Sequence, residues 1–363
     1  MALLWPLFTC AQNRYVVNNM PGTSADFSSL QTAVNTVPAG SILYVMPSAI
    51  DYGSTIISKQ LTIYGPGYFL GENDAPAQQT TEVSASVNGI WFKPGSSNSI
   101  VEGLTIKYPT AFPPVFAGVY LDSVNTVIVR RCFFTSYQSG SYDIWLRQDT
   151  NCAFHQCYFQ HGLNAYGSSL FGGSNTANLR FYNNIFNFSS VSPGIAATNI
   201  IGLPMDVSFY GNTFSLNATD YWSSSSTPFN YYNNIIINLR PDINVTNPAG
   251  IGWGGNASNN ISNTPNLFSA ATGSNNIDNA VVDSIFQYSL PGYHSWDRKF
   301  IVRDTSFAKT WGQGSIECGA YGGINPYKPS GIPQLPYIYS MTVPADVSSG
   351  GSLRVHIKAK ASN

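Results

Sequence analysis

Five residues with binding chemistry recur in one register: Arg130, His155, Tyr182, Tyr210 and Tyr232, at intervals of 25, 27, 28 and 22 residues. A guanidinium, an imidazole and three phenols in a row can hydrogen-bond a hydroxyl-rich ligand. Phenol rings also present flat amphipathic faces to sugars or to another protein. A self-stacking ladder that only stabilises its own sheet is the plainer reading of the tyrosines. A second set, Asp122, Arg147 and His155 with Asp143 and Arg130 nearby, has the residue types of a general acid–base site assembled across repeats. For Asp122 and Arg147 the simpler expectation is an exposed ion pair. His161-Gly162 and Arg147-Gln-Asp149 stand isolated, and no Cys/His spacing suits zinc. The sequence assigns no catalytic residue, no metal site and no cofactor.

The elements that must position these residues are versions of one phrase. They read Val127-Ile-Val-Arg-Arg-Cys-Phe-Phe134, Cys152-Ala-Phe-His-Gln-Cys-Tyr-Phe159, Leu179-Arg-Phe-Tyr-Asn-Asn-Ile-Phe186, Val207-Ser-Phe-Tyr-Gly-Asn-Thr-Phe214 and Phe229-Asn-Tyr-Tyr-Asn-Asn-Ile-Ile236. A short alternating strand repeated every twenty-odd residues predicts a solenoid of stacked coils. The first and third residues of each phrase point into the coil, and the fourth points out. A corner and a second strand follow. At the corner stand Cys132, Cys157, Asn184, Asn212 and Asn234. Stacked at the ~4.8 Å of a parallel sheet, the three asparagines can donate and accept along the axis and satisfy the corner backbone. Cys132 and Cys157 occupy the same slot, as stacked free thiols or as a disulfide between adjacent coils. Cys152 takes the inward slot of Val127.

This phrase resembles the right-handed parallel β-helix of the pectate-lyase-like superfamily, and the resemblance covers most of the chain. Asp26-Phe-Ser-Ser-Leu-Gln-Thr-Ala-Val34 followed by Pro38-Ala-Gly-Ser-Ile-Leu-Tyr-Val45 is similar to the usual opening, a capping helix with Phe27, Leu30 and Val34 on one face and then the first strand. Leu61–Tyr68 and Ile100–Ile106 resemble early coils. Asn263–Phe268 and Ile316–Tyr321 resemble closing coils. The resemblance implies an all-β fold: a right-handed parallel β-helix solenoid with a short N-terminal capping helix and a C-terminal β-strand tail. It also implies where chemistry would lie, since enzymes of the superfamily act on polysaccharides in a groove on one face. Pectate lyases need clustered Asp/Glu for calcium and a basic residue for proton abstraction. Polygalacturonases need several Asp together with a His and an Arg-x-Lys. Neither set is present, and a fold by itself does not specify function.

Composition narrows the partners. Charged residues make up 10% of the 363 and the net charge is −1, so a nucleic-acid partner is not expected. No apolar run approaches the ~18 residues of a transmembrane span. Ala2–Phe8 followed by Thr9-Cys10-Ala11-Gln12 reads as the end of a secretory signal over residues 1–11, cut before Gln12, with Leu7–Cys10 as a lipoprotein box in the second reading. The β-helix is expected over 12–323, a proline-studded linker over 324–336 and a strand tail over 337–363. In that tail Leu353, Val355, Ile357 and Ala359 face one way, and Arg354, His356, Lys358 and Lys360 the other. The ending resembles those of secreted Bacteroidota proteins. A hairpin along its own rod and a strand donated to a neighbour, building a fibre, both fit it. Asn187, Asn217, Asn244, Asn256 and Asn260 begin N-glycosylation sequons, and Asp122-Ser-Val124 and Asp283-Ser-Ile285 match a Bacteroidota O-glycosylation pattern. The expected function is a secreted or cell-surface, fibre-type or adhesive protein that binds polysaccharide or itself. The alternative is a polysaccharide lyase or glycoside hydrolase.

Overall fold

A computed structural model describes residues 12–73, 82–108, 117–136, 142–161, 169–174, 176–188, 194–198, 206–216, 229–239, 255–269, 271–288, 296–344 and 351–361. The signal segment expected over 1–11 lies outside the described residues. The chain forms an all-β, right-handed parallel β-helix. Among the described residues, sheet A has ten strands, sheet B eight and sheet C six, and a complete coil runs from A through B and C back to A. Sheet A begins at Arg14–Val17 and includes Ile128–Arg130, Ala153–His155, Leu179–Tyr182, Val207–Tyr210 and Phe229–Tyr232.

The inward residues stack upon themselves. Phe154, Phe181, Phe209 and Tyr231 of sheet A lie 5.3, 4.8 and 5.1 Å apart, ring planes within 14°. Phe134, Phe159, Phe186 and Phe214 of sheet B form a parallel ladder at 4.4, 4.7 and 4.6 Å. Offset-stacked rings add about 0.5–1.5 kcal/mol per pair beyond the area they bury.

Between sheets A and B the chain turns through one left-handed residue per coil. Gly103, Arg131, Gln156, Asn183, Gly211, Asn233 and Asn259 have φ between 51° and 75°. The next position carries the asparagine ladder. Asn184 donates from its backbone N and from Nδ2 to Asn212 Oδ1 (both 2.9 Å), and from Nδ2 to the Phe154 carbonyl. Asn212 repeats this toward Asn234 and Phe181, and Asn234 toward Asn260 and Phe209. Asn260 repeats it toward Asn276 and Tyr231. Cys132 and Cys157 start the same column, their thiols donating toward the Val101 and Val129 carbonyls. Cys132, Cys152, Cys157 and Cys318 are all free and buried, so the disulfide alternative is not realised.

Two expectations shift. Helix α1 spans Leu30–Thr36, later than the expected 26–34, because Ser29 caps it by accepting from Thr32 N. Phe27 instead bridges to Val17, and the Asp26 carboxylate accepts from Val16 N at 2.7 Å. Ile316–Tyr321 does not form a closing coil. It belongs to a segment that turns back at the end of the rod and runs along the A–B corners toward the start. Trp311 O accepts from Asn259 Nδ2, Gly319 N donates to Asn233 O, and Asn183 Nδ2 donates to Ala320 O and Gly322 O. Gln156 Nε2 then holds Asn325 O and Pro326 O, Arg131 holds Ile332 O, and Gln334 N donates to Glu102. The stretch expected as a linker is thus strapped to the rod. Tyr158, Ile185, Ile235 and Ile261 on the outside of sheet B form a second core with Phe286, Phe300, Cys318, Ala320 and Tyr327 from this returning segment. Beyond it, Pro336–Thr342 pairs antiparallel with His356–Ala361 in a hairpin.

Candidate functional site

The outward position of sheet A builds the site. Pairing register aligns Arg130 with His155, His155 with Tyr182, Tyr182 with Tyr210 and Tyr210 with Tyr232, so all five residues share one column. The same register adds Tyr44, Tyr64 and Glu102 upstream. The sequence does not mark them as members of the phrase, because Met46, Pro66 and Leu104 stand where the later units carry the corner Cys or Asn. Their signal was present in Ile42-Leu-Tyr44 and Thr62-Ile-Tyr64.

The rings face each other. Tyr182 and Tyr210 stack at 5.2 Å and 15°, Tyr210 and Tyr232 at 4.9 Å and 14°. His155 leans on Tyr182 at 4.8 Å and 46°. Ring faces are therefore taken up within the column, which presents edges and hydroxyls outward. Burial, and after it the neighbouring Tyr210, holds the Tyr182 and Tyr232 phenols above their ordinary value, so both are O–H donors. Burial, and after it the Arg130 guanidinium, lowers the His155 imidazole to about 4, so it is neutral at neutral pH. Arg130 Nε donates to Glu102 Oε2 at 2.7 Å, and Arg131 lies 3.4 Å from the other oxygen of this fully buried carboxylate.

A groove of about 400 Å³ runs between the column and the strap. His155, Tyr182 and Tyr210 form one wall, Asn183, Gly211 and Asn233 the corner, and Ile316, Glu317 and Gly322–Asn325 the other wall. Ile324 at its lip is 96% exposed. Glu317 Oε2 pairs with Lys309 at 2.7 Å. A second hollow of about 400 Å³ lies further along the column, where Tyr44, Tyr64 and Pro66 face Pro333, Leu335 and Tyr337.

The acid–base set is not assembled with the column. Asp122 and Arg147 are paired neighbours on sheet C, 3.5 Å apart, with the arginine exposed. Asp143 is buried on sheet C and accepts a hydrogen bond from the Tyr108 hydroxyl. None of the three lines the groove that holds His155. The His161 side chain and Gly162 lie outside the described residues. Among the sequons, Asn187 is buried against the Tyr158 hydroxyl and Asn260 is a ladder member, so neither amide is free to carry a glycan in the folded chain. Asn217 and Asn244 lie outside the described residues.

Among the described residues no group of three or more His, Cys, Asp or Glu could hold a metal ion, and no helix is long and apolar enough to cross a membrane. A family model for the right-handed beta helix region matches residues 52–214. No curated protein matches the chain. Among solved structures, the chain is similar to a rhamnogalacturonan lyase at 12% identity and a TM-score of 0.42, covering 82% of this chain and 96% of that one. It is also similar to the pectin methylesterase of Aspergillus niger at 10% identity and a TM-score of 0.38, covering 84% and 95%.

Proposed function

We propose that this chain is a non-catalytic, glycan-binding β-helix, secreted or displayed at a cell surface, and that the sheet A column with its groove is the binding face. The observation that carries the reading is one half-buried ring per coil, from His155 through Tyr182 to Tyr210, lining a groove walled by the strap, with Tyr232 stacked next in the column. Such a row meets a sugar chain through hydroxyl edges, since the ring faces are already stacked. Glycoside hydrolysis ordinarily uses two carboxylates flanking the scissile bond. The residues lining this groove include one carboxylate, Glu317, held by Lys309.

The test is electrophoresis through gels containing different polysaccharides, comparing the wild type with a Tyr182→Phe/Tyr210→Phe/Tyr232→Phe variant. Phenylalanine keeps the stack and removes the hydroxyls, so retardation should vanish while Tm stays within a few degrees. Retardation unaffected by the triple variant would remove the column from the reading. Release of sugars by the wild type, abolished in His155→Ala, would put a lyase or hydrolase in its place.

One observation favours a second role, self-association. Ile338, Met341, Val343, Leu353, Val355 and Ile357 of the hairpin region are between 40% and 55% exposed, and an isolated two-stranded hairpin is marginally stable. Electron microscopy with and without residues 337–363 decides it: tail-dependent filaments support assembly, and identical single rods exclude it.

A further inference from the structure

We infer that the groove takes a neutral, extended polysaccharide, laid along the rod axis with about one sugar ring per coil, and rejects polyuronates. This inference rests on the glycan-binding reading and narrows it. Recognition of a polyanion needs unpaired cations or a bridging metal ion, because carboxylates are bound most strongly by guanidinium, ammonium or calcium. Among the described residues, the groove lining holds no such cation and only one carboxylate, Glu317, with which to hold a metal ion. Among the described residues, those lining it and those lining the second hollow on the same column include no lysine and no arginine. Three cations beside the groove are already paired with this chain's own acids: Arg130 with Glu102 at 2.7 Å, Arg180 with both oxygens of Asp206 at 3.0 and 2.9 Å, and Lys309 with Glu317 at 2.7 Å. A uronate chain would place its carboxylates beside Glu317, which repels them.

What the groove does offer is uncharged. The Tyr182 and Tyr210 phenols line it on rings 5.2 Å apart, Tyr232 continues the column 4.9 Å beyond, and His155 adds a neutral imidazole. Ile324, almost fully exposed at the lip, suits the C–H face of a sugar better than a charged group. The periodicity follows the coil, so a ligand gains contacts only by extending along the axis. Length should therefore matter as much as composition.

The experiment is calorimetric titration of the full chain with cellohexaose, mannohexaose, the matching disaccharides and hexagalacturonate. At least one neutral hexasaccharide should bind more than about tenfold tighter than its disaccharide. That binding should be unchanged in about 0.5 M NaCl, where exposed charge–charge attraction is screened. It should fall at least about tenfold in the triple Tyr→Phe variant. Hexagalacturonate should bind only in a Glu317→Lys variant, which leaves an unpaired cation on the wall. If wild type prefers hexagalacturonate and the triple variant loses it, the groove reading survives and the inference of neutrality is overturned. If no hexasaccharide binds, or the tyrosine variant changes nothing, the glycan-binding reading fails and takes this inference with it.

Discussion

Replacing Asn212 with alanine should cost about 3–5 kcal/mol, and the structure shows where the loss arises. Asn212 Oδ1 accepts from the Asn184 backbone N–H and from Asn184 Nδ2, both at 2.9 Å, while its own Nδ2 donates to the Phe181 carbonyl at 3.0 Å and to Asn234 Oδ1 at 3.1 Å. Asn184, Asn212 and Asn234 are fully buried, so water does not replace these partners cheaply. Truncation orphans the Asn184 N–H and removes three further bonds, and each buried group left unpaired costs about 1–3 kcal/mol. Cysteine at the same site should cost roughly half as much, since Cys132 and Cys157 show that a thiol fits the slot and donates to the equivalent carbonyl. Denaturant unfolding gives the total, and hydrogen exchange at the Asn184 amide gives the local share. A loss below about 1 kcal/mol with that amide still protected would refute the ladder as a source of stability.

Three further outcomes follow from the same geometry. His155 is depressed from 6.5 to about 4, so its contribution is complete above pH 6.5 and lost as pH falls through about 4. Its full size is roughly 3 kcal/mol, and His155→Gln should flatten that part of the Tm–pH curve; an unchanged difference between pH 7 and pH 4 refutes the assignment. A Cβ at Gly322 would collide with the Glu317 carbonyl. Gly322→Ala should therefore loosen the strap, raising hydrogen exchange at Gly319 N while the sheet A amides stay protected. Burial pushes the Cys132, Cys152 and Cys318 thiols up to about 12 and holds the Cys157 thiol well above its ordinary value, so these four should resist a thiol reagent until the protein is unfolded. Rapid labelling of the native rod at any of them would contradict the packing.

Sequence made the column and the ladder legible because both obey the coil period. Arg130, His155, Tyr182, Tyr210 and Tyr232 align as their spacing predicted, as do Asn184, Asn212 and Asn234. The ladder's continuation through Asn260 and Asn276 was written in the doublets Asn259-Asn260 and Asn275-Asn276, which repeat Asn183-Asn184 and Asn233-Asn234. Ring orientation was not legible, since register sets which residues are neighbours and leaves χ angles open. The strap was hidden for a different reason. Its contacts join corner side chains such as Gln156 and Asn183 to main-chain carbonyls of Asn325, Pro326, Ala320 and Gly322, and carbonyls carry no residue identity. Arg131 and Gln156 hinted at it. Both adopt positive φ where other coils use glycine or asparagine, and both use their side chains to hold the strap.

The strap also changes how this rod must be made. In a plain solenoid each coil touches only its neighbours, so folding can start anywhere and the ends fray freely. Here the Tyr68 and Tyr327 hydroxyls meet at 2.6 Å across 259 residues, and Gln334 N reaches Glu102 across 232. The early coils cannot open without first releasing the last part of the chain. During synthesis the order is reversed. Tyr158, Ile185, Ile235 and Ile261 leave the ribosome well before Phe286, Phe300 and Tyr327 that cover them. The growing rod therefore carries an uncovered apolar flank until its final segment emerges. That interval is when the chain is most exposed to aggregation and most in need of a chaperone.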